Sequence, residues 1–322
     1  MAIVTCEQIS YQYAKASIHQ PLALIDVSLR LEQGKFYAIV GATGSGKSTL
    51  LQHLNGIYQP TKGKLQVYDV VFAAGAKVKG LKPLRSRVGL VFQFPEQQLF
   101  EETVEKDLMF GPIQFGADEQ QARAAAVEAL LAVGLDEAFM ARSPFELSGG
   151  QMRKVAIATV LASNPELIVL DEPTATLDPV SRTELIALLK RLCVEQGRTI
   201  VMVTHRLDEV LAAADEFILM QQGAVTYTGT RADLIRSPHL LQAADIVVPN
   251  EMKLAHEISE RLGIVVDELP SGIEGWADWL IHNSDAASKA VDRYATDSSA
   301  SQQEQTDKAS PRGMTESDEK GE

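Results

Sequence analysis

Short apolar runs and longer helical periodicities alternate along most of this chain. Residues 23–31 alternate apolar and polar positions, as a half-buried strand does. A turn at Gln33-Gly34 leads into the unbroken apolar run Phe36–Val40, the pattern of a strand buried on both faces. After a glycine-rich stretch, Leu50, Leu51 and Leu54 continue a helix that Asn55-Gly56 stops. Residues 60–63 read as a turn, 64–72 as one strand, 75–82 as a polar surface loop and 87–92 as another strand. Between 103 and 161 the period lengthens from two to about 3.6. An alanine-rich helix spans 122–133 and is closed by Gly134, and a second spans 152–161. Then come a buried strand at 167–170, a helix at 181–194, a strand at 198–204, a helix at 207–214 and a strand at 216–220. Strands alternating with helices predict an α/β fold, a mostly parallel sheet covered on both faces and interrupted by a helical insertion at about 96–162.

The pattern changes after Gly229. Asn250 caps a predicted helix over 251–262 that sets Leu254, Ile258 and Leu262 on one face and ends at Gly263. A short apolar segment at 275–282 carries Trp276 and Trp279. The expected organisation is a main domain over 1–229, a small C-terminal module over 230–290 and a polar tail over 291–322. The module's apolar face packs either on the parent domain or on another subunit. The tail is serine, glutamine and charge with almost nothing to bury, the composition of disorder.

Composition narrows the function classes. At 322 residues with 45% hydrophobic content, the chain can build a substantial core. A net charge of −13 argues against a general nucleic-acid binder. Its two cysteines, Cys6 and Cys193, are far apart and suit a reducing compartment. The start lacks a secretory pattern, and no apolar run reaches the roughly 20 residues of a bilayer span. Membrane association is therefore expected only through partners.

The candidate chemistry starts at Gly41, Ala42, Thr43, Gly44, Ser45, Gly46, Lys47, Ser48 and Thr49. A strand, a tight glycine turn and a helix start make a phosphate-cradling loop. Free amides at the helix start point at an anion, and the helix dipole adds to the attraction. Lys47 can reach terminal phosphates, and the Ser48 hydroxyl can ligate Mg2+. At the end of 167–170 stand two carboxylates. Asp171 is placed to hold the magnesium shell, and Glu172 to orient or activate an attacking water. His205 follows another apolar strand and can donate to a transferred phosphate. Gln93 follows residues 88–92 and can contact Mg2+ or the attacking water. Alone, each of these last two is more often structural.

Together with Leu147, Ser148, Gly149, Gly150 and Gln151 at a helix start, and with Leu177-Asp178, the order of motifs resembles the ATP-binding cassette ATPases over residues 4–230. The resemblance implies a phosphate-loop core with an antiparallel N-terminal sheet region, the helical insertion and a C-terminal extension. It implies that Tyr13 stacks on adenine, that Gln93 lies in the loop coupling ATP chemistry to a membrane partner, and that residues 175–178 cross between subunits. Ser148, Gly149, Gly150 and Gln151 are implied to complete the ATP site of an opposing subunit. Thr176 and Ala42 are mild departures from the pattern. Residues 50–56, 92–104, 110–112 and 151–158 narrow the resemblance to the ATPase subunits of energy-coupling factor transporters, in particular the second of a heterodimeric pair.

By that resemblance the chain is expected to be a Mg2+-dependent ATPase at the cytoplasmic face of a bacterial membrane. It powers uptake of a vitamin or a transition-metal ion. Its implied partners are a homologous ATPase subunit, a transmembrane scaffold and a substrate-binding membrane subunit. The alternatives are an ATPase of another importer or exporter, a non-transport relative, and a structural subunit whose partner does the catalysis.

Overall fold

The computed structural model describes residues 1–13, 22–262, 264, 266, 269–270 and 272–283. Met1–Asn250 forms one compact unit and the chain from Glu251 onward a second.

Two sheets organise the first unit. The six-stranded sheet contains β3 (Phe36–Val40), β6 (Val88–Val91), β7 (Leu167–Asp171), β8 (Thr199–Thr204), β9 (Glu216–Gln221) and β10 (Ala224–Gly229), in the order β10-β9-β3-β8-β7-β6. All neighbours from β9 to β6 are parallel, and β10 runs antiparallel at the edge. Every residue of β3, β7 and β8 is buried. This is why these runs are continuously apolar rather than alternating. The second sheet is antiparallel, built from β1 (Ala2–Tyr11), β2 (Leu24–Glu32), β4 (Lys62–Val67) and β5 (Val70–Ala73), in the order β2-β1-β4-β5. One core joins the two: Ile9, Leu31 and Phe72 of the antiparallel sheet share a cluster with Ile39, Val169, Val203 and the helix residues Leu50 and Leu54.

The helical insertion holds α3 (Val104–Phe115), α4 (Glu119–Ala132) and α5 (Gly149–Ala162). Each start is written in the sequence. Thr103 accepts from the Lys106 amide, and Asp118 with Gln121 and Ser148 with Gln151 form reciprocal capping boxes. Outside the insertion are α1 (Lys47–Leu54), α2 (Lys82–Arg87), α6 (Pro179–Gln196), α7 (Leu207–Val210), α8 (Arg231–Arg236) and α9 (His239–Ala243). Helices α8 and α9 belong to the first unit.

Two local expectations are corrected. The single strand expected over 64–72 is a hairpin, with Val67 paired to Val70 around Tyr68-Asp69. Tyr68 adopts a left-handed backbone (φ 55°), its amide donates to the Ile3 carbonyl at 2.7 Å, and the Arg87 guanidinium lies 3.6 Å from its ring centroid. Tertiary contacts make this turn without the Asn-Gly chemistry that marks one in sequence. The helix expected over 207–214 stops at Val210, because Asp215 turns back onto β3. Its amide donates to the Phe36 carbonyl, and its carboxylate accepts from the Phe36 amide, both at 2.8 Å. Strands β1 and β10 and helix α2 were absent from the residue-by-residue pattern.

In the second unit, α10 (Asn250–Leu262) and α11 (Gly272–His282) form as expected. On α10, however, Met252 and Ala255 are the buried positions while Leu254 is 43% exposed. Gly263 and the polar tail lie outside the described residues.

Ile39 sits at the centre of this arrangement, fully buried. Replacing it with alanine is expected to lower unfolding free energy by about 2–5 kcal/mol in urea titrations. Val71→Ala, at a 41% exposed position, is expected to change it by less than about 1 kcal/mol. Equal losses at the two positions would contradict the placement of the core.

Candidate functional site

The four adjacent parallel strands β3, β8, β7 and β6 end on one sheet edge. Register fixes what they deliver. Val40 is opposite Thr204, Asp171 opposite Val203, and Val91 opposite Leu170. The next residues along each strand are Gly41, His205, Glu172 and, two past Val91, Gln93. Ligands of open parallel sheets bind outside such carboxyl ends.

The loop from Gly41 to Gly46 then feeds α1. A β-carbon on Gly41 would lie 2.2 Å from the Met220 carbonyl oxygen, and one on Gly46 would lie 2.6 Å from that of Ala23. Gly46 also has φ 98°. Only glycine allows the backbone so close to its neighbours, and the loop's amides are left to face an anion. Gly44, Ser45, Ser48 and Thr49 complete the loop and the first turn of α1. The Lys47 Nζ arches over it, donating to the carbonyls of Gly41 and Ala42 at 2.8 Å each. Burial holds this ammonium below its ordinary pKa, opposed by the carboxylates of Glu172 and Asp171.

Across the edge, the Ser48 hydroxyl hydrogen-bonds Asp171. Burial raises the Asp171 pKa, Ser48 and Lys47 pull it down, and Glu172 adds to the rise. Among the described residues, no group of three or more His, Cys, Asp or Glu side chains could hold a metal ion. The donor set nonetheless fits Mg2+, which is bound through one or two protein oxygens when phosphate oxygens and water supply the rest.

Glu172 is the convergence point. Its backbone is left-handed (φ 46°), an uncommon conformation for glutamate of the kind that clusters at functional sites. Its amide donates to the Val203 carbonyl at 3.0 Å, locking it to the neighbouring strand. His205 Nδ1 lies 3.2 Å from Oε1, and Gln93 Nε2 lies 3.5 Å from Oε2. The structure thus gathers Lys47, Ser48, Asp171, Glu172, His205 and Gln93. Tyr13, 44% exposed, meets the same loop from the antiparallel sheet, its hydroxyl 2.8 Å from Thr49 Oγ1. Its ring packs edge-on against Tyr11 and Tyr58.

Ser148, Gly149 and Gly150 are exposed at the start of α5. The polar bonds of Ser148 and Gln151 go to each other, each backbone amide donating to the other's side chain. Two features escaped the sequence reading. Arg153, 1% exposed, bonds to Thr176, Gln93 and Glu172. Its signal was a cation sharing a helix face with the buried Ala156 and Ile157. The second is Glu209, which accepts from the Thr174 hydroxyl at 2.5 Å and pairs with Arg182 and Arg206. These contacts pin the turn that follows Glu172. Next to Gln93, a groove of about 330 Å³ is lined by Ile57, Phe92, Phe100, Phe110 and Phe115, all at least a third exposed.

The family profile described as ABC transporter matches residues 24–175. An energy-coupling factor transporter ATP-binding protein EcfA2 from Bacillus thuringiensis (strain Al Hakam) is 45% identical over 271 residues, 84% of this chain and 92% of that protein. The chain belongs to this family of ATP-binding proteins. The EcfA2 protein of Geobacillus kaustophilus (strain HTA426) is 48% identical over 263 residues, 82% of this chain and 91% of that protein. Among solved structures, CbiO1 from Clostridium perfringens, described as part of the ABC transporter complex CbiONQ, superposes with a TM-score of 0.65 at 32% identity, over 79% of this chain and 98% of its own. The dimeric ATP-binding cassette MJ0796 bound to ADP and Pi gives 0.64 at 31% identity, over 71% and 98%. This energy-coupling factor type cassette is an ATP hydrolase.

One buried group near the loop, the His53 imidazole, carries a depressed pKa. His53, fully buried on α1, donates from Nδ1 to the Thr49 carbonyl at 2.7 Å, and its Nε2 has no partner among the described residues. Burial pushes its pKa down from 6.5 to about 4. A depressed folded-state pKa gives stability that is complete above the unfolded value and is lost as pH falls through the folded one. Between pH 6.5 and 4, the unfolding free energy of the parent is expected to fall more steeply than that of His53→Gln, by a slope approaching one proton. Parallel pH profiles would contradict a neutral, buried imidazole.

Proposed function

We propose that this chain powers uptake of a vitamin or a transition-metal ion by hydrolysing ATP within an energy-coupling factor membrane complex. In the reading, two cassettes sandwich two ATP molecules head to tail. The loop residues Gly41, Gly44, Ser45, Gly46, Lys47, Ser48 and Thr49 wrap the phosphates, and Tyr13 carries the adenine. Ser48 and Asp171, with Gln93, hold Mg2+, which when bound neutralises phosphate charge. Glu172 accepts a proton from the attacking water, and Gln93 orients that water. His205, held by Glu172, donates toward the terminal phosphate. Most of the rate comes from positioning and from donors preset where charge develops.

The opposing subunit supplies its own equivalents of Ser148, Gly149, Gly150 and Gln151. Beyond its chain neighbours and its own helix backbone, a β-carbon on Gly149 or Gly150 would meet nothing of the described residues within 4 Å. Neither glycine is needed for internal packing, which supports an occupant from outside pressing on the helix start. The partner ATPase is a distinct homologue in this reading. The aromatic groove takes short helices of a transmembrane scaffold, which in turn moves a substrate-binding membrane subunit. No helix among the described residues is long and apolar enough to cross a membrane, so attachment to the cytoplasmic face runs through these partners. No direct contact with nucleic acid is part of the reading.

The observation that carries the proposal is continuity. The groove residue Phe92 is followed directly by Gln93, whose side chain reaches Glu172. Scaffold contact and ATP chemistry are one residue apart.

Glu172→Gln is expected to lower hydrolysis at least about 100-fold with ATP affinity retained, measured by phosphate release and nucleotide titration. Hydrolysis within a few-fold of the parent would remove Glu172 from the role. Lys47→Ala is expected to weaken ATP binding itself, and unchanged affinity would contradict the loop assignment. In a complex carrying Ser148→Ala on this chain alone, the site built on the partner's phosphate loop should lose turnover while the other keeps it. Equal loss at both would argue against completion in trans.

A further inference from the structure

Arg153 is the largest fully buried side chain of the described residues, and a cation there needs a reason. It lies on α5, five residues after the Ser148 cap. Nη1 donates to the Thr176 hydroxyl. Nη2 donates to the Gln93 carbonyl at 2.6 Å and reaches the Glu172 carbonyl at 3.4 Å. Nε is buried with no partner among the described residues. Its hydrogen-bond acceptors are neutral oxygens, and the Glu96 carboxylate favours its charged form only through space, with no ion pair to it among the described residues. Burying a charge on such terms is expensive, and an apolar side chain of similar volume commonly serves stability as well or better.

What the guanidinium gains is placement. Its acceptors come from the segment after β6, the residue after β7 and the turn beyond it. They are the main chains of Gln93 and Glu172 and the side chain of Thr176. A planar fork with donors at fixed angles suits this task, whereas a single ammonium does not reproduce it. Glu172 needs such support, because its left-handed backbone is costly for a glutamate and persists only where the surroundings over-determine it. One neighbour already fixes its amide, through the Val203 carbonyl, and Arg153 approaches its carbonyl from the opposite end of the residue.

We propose that Arg153 is a positioning residue for hydrolysis. It holds the backbones of Gln93 and Glu172 so that amide and carboxylate face the same water, and it does not contribute to nucleotide affinity. Because it rides on the helix that begins at Ser148, it also ties the catalytic carboxylate to that helix. The inference rests on Glu172 being the catalytic carboxylate. The two fail separately: an active Glu172→Gln removes the carboxylate's role, whereas an inactive Glu172→Gln beside a fully active Arg153 variant removes only the role of Arg153.

The test uses the full-length chain in the complex with which it copurifies. Arg153→Met keeps length and removes every donor, and Arg153→Lys keeps the charge. Turnover per nucleotide site and affinity for a non-hydrolysable ATP analogue are measured in parallel. Arg153→Met is expected to lower kcat by about tenfold or more while affinity changes less than about threefold, since small misplacements of reacting groups have effects of this order. Arg153→Lys should fall between the two. Combined with Glu172→Gln, Arg153→Met should cause a much smaller loss than it does alone, because one of the two groups it positions is already gone. A folded Arg153→Met with parental kcat, or with affinity and kcat lost in step, overturns the proposal. If Arg153→Met does not fold, Thr176→Val decides. Thr176 is exposed, and the substitution removes one acceptor with little change in shape. Reduced kcat at unchanged affinity supports the proposal, and parental kcat rejects it.

Discussion

The structure depends on parallel pairing between strands that are buried from end to end. Because β3, β8, β7 and β6 run the same way in adjacent positions, their carboxyl ends share one edge. Groups as distant in sequence as Gln93 and His205 then converge on Glu172. Apart from Asp171 at the end of β7, the strands carry no chemistry; their continuous apolar runs fix the register. A slip of one residue would turn Asp171 and its neighbours to the other face of the sheet.

The edge concentrates charge in a poorly solvated place. Lys47, Asp171 and Arg153 are all buried, and each has its protonation pushed toward neutrality by that burial. The three are held charged by different means. Lys47 lies among loop carbonyls with two carboxylates nearby, Asp171 takes a hydroxyl bond from Ser48, and Arg153 has the Glu96 carboxylate. Such a site is prepared for a highly charged ligand with its own cation, since ATP and Mg2+ bring the opposing charges with them. In the proposed sandwich, half of the phosphate environment stays exposed at Ser148, Gly149 and Gly150 until a second cassette arrives.

Much of this was legible in the sequence where local signals coincide. The loop from Gly41 to Thr49 has its strand before it and its helix after it. The apolar strands that lead to Asp171 and His205 were equally plain, whereas the helices expected from 122 and 152 start three residues earlier, at the capping pairs Asp118 with Gln121 and Ser148 with Gln151. What escaped was set by tertiary contact. The Tyr68-Asp69 turn exists because Arg87 and the Ile3 carbonyl hold it, and the helix after Leu207 is cut short because Asp215 pairs with Phe36. On α10, Leu254 of the expected stripe is exposed, and Met252 and Ala255 are buried instead. Arg153 escaped because a lone arginine beside a recognised motif reads as surface charge until its acceptors are seen. Substrate identity was silent throughout, since nothing in the proposed mechanism brings cargo to this chain.

The central claim is that polyphosphate is captured between two protein faces, neither of which suffices alone. ATP turnover per chain, measured while the isolated complex is dissociated into strictly monomeric chains, tests it most directly. The account predicts that nucleotide binding to the Gly41–Thr49 loop survives dissociation while turnover collapses with the fraction of assembled pairs. Monomers that hydrolyse ATP at the full rate of the complex would contradict it.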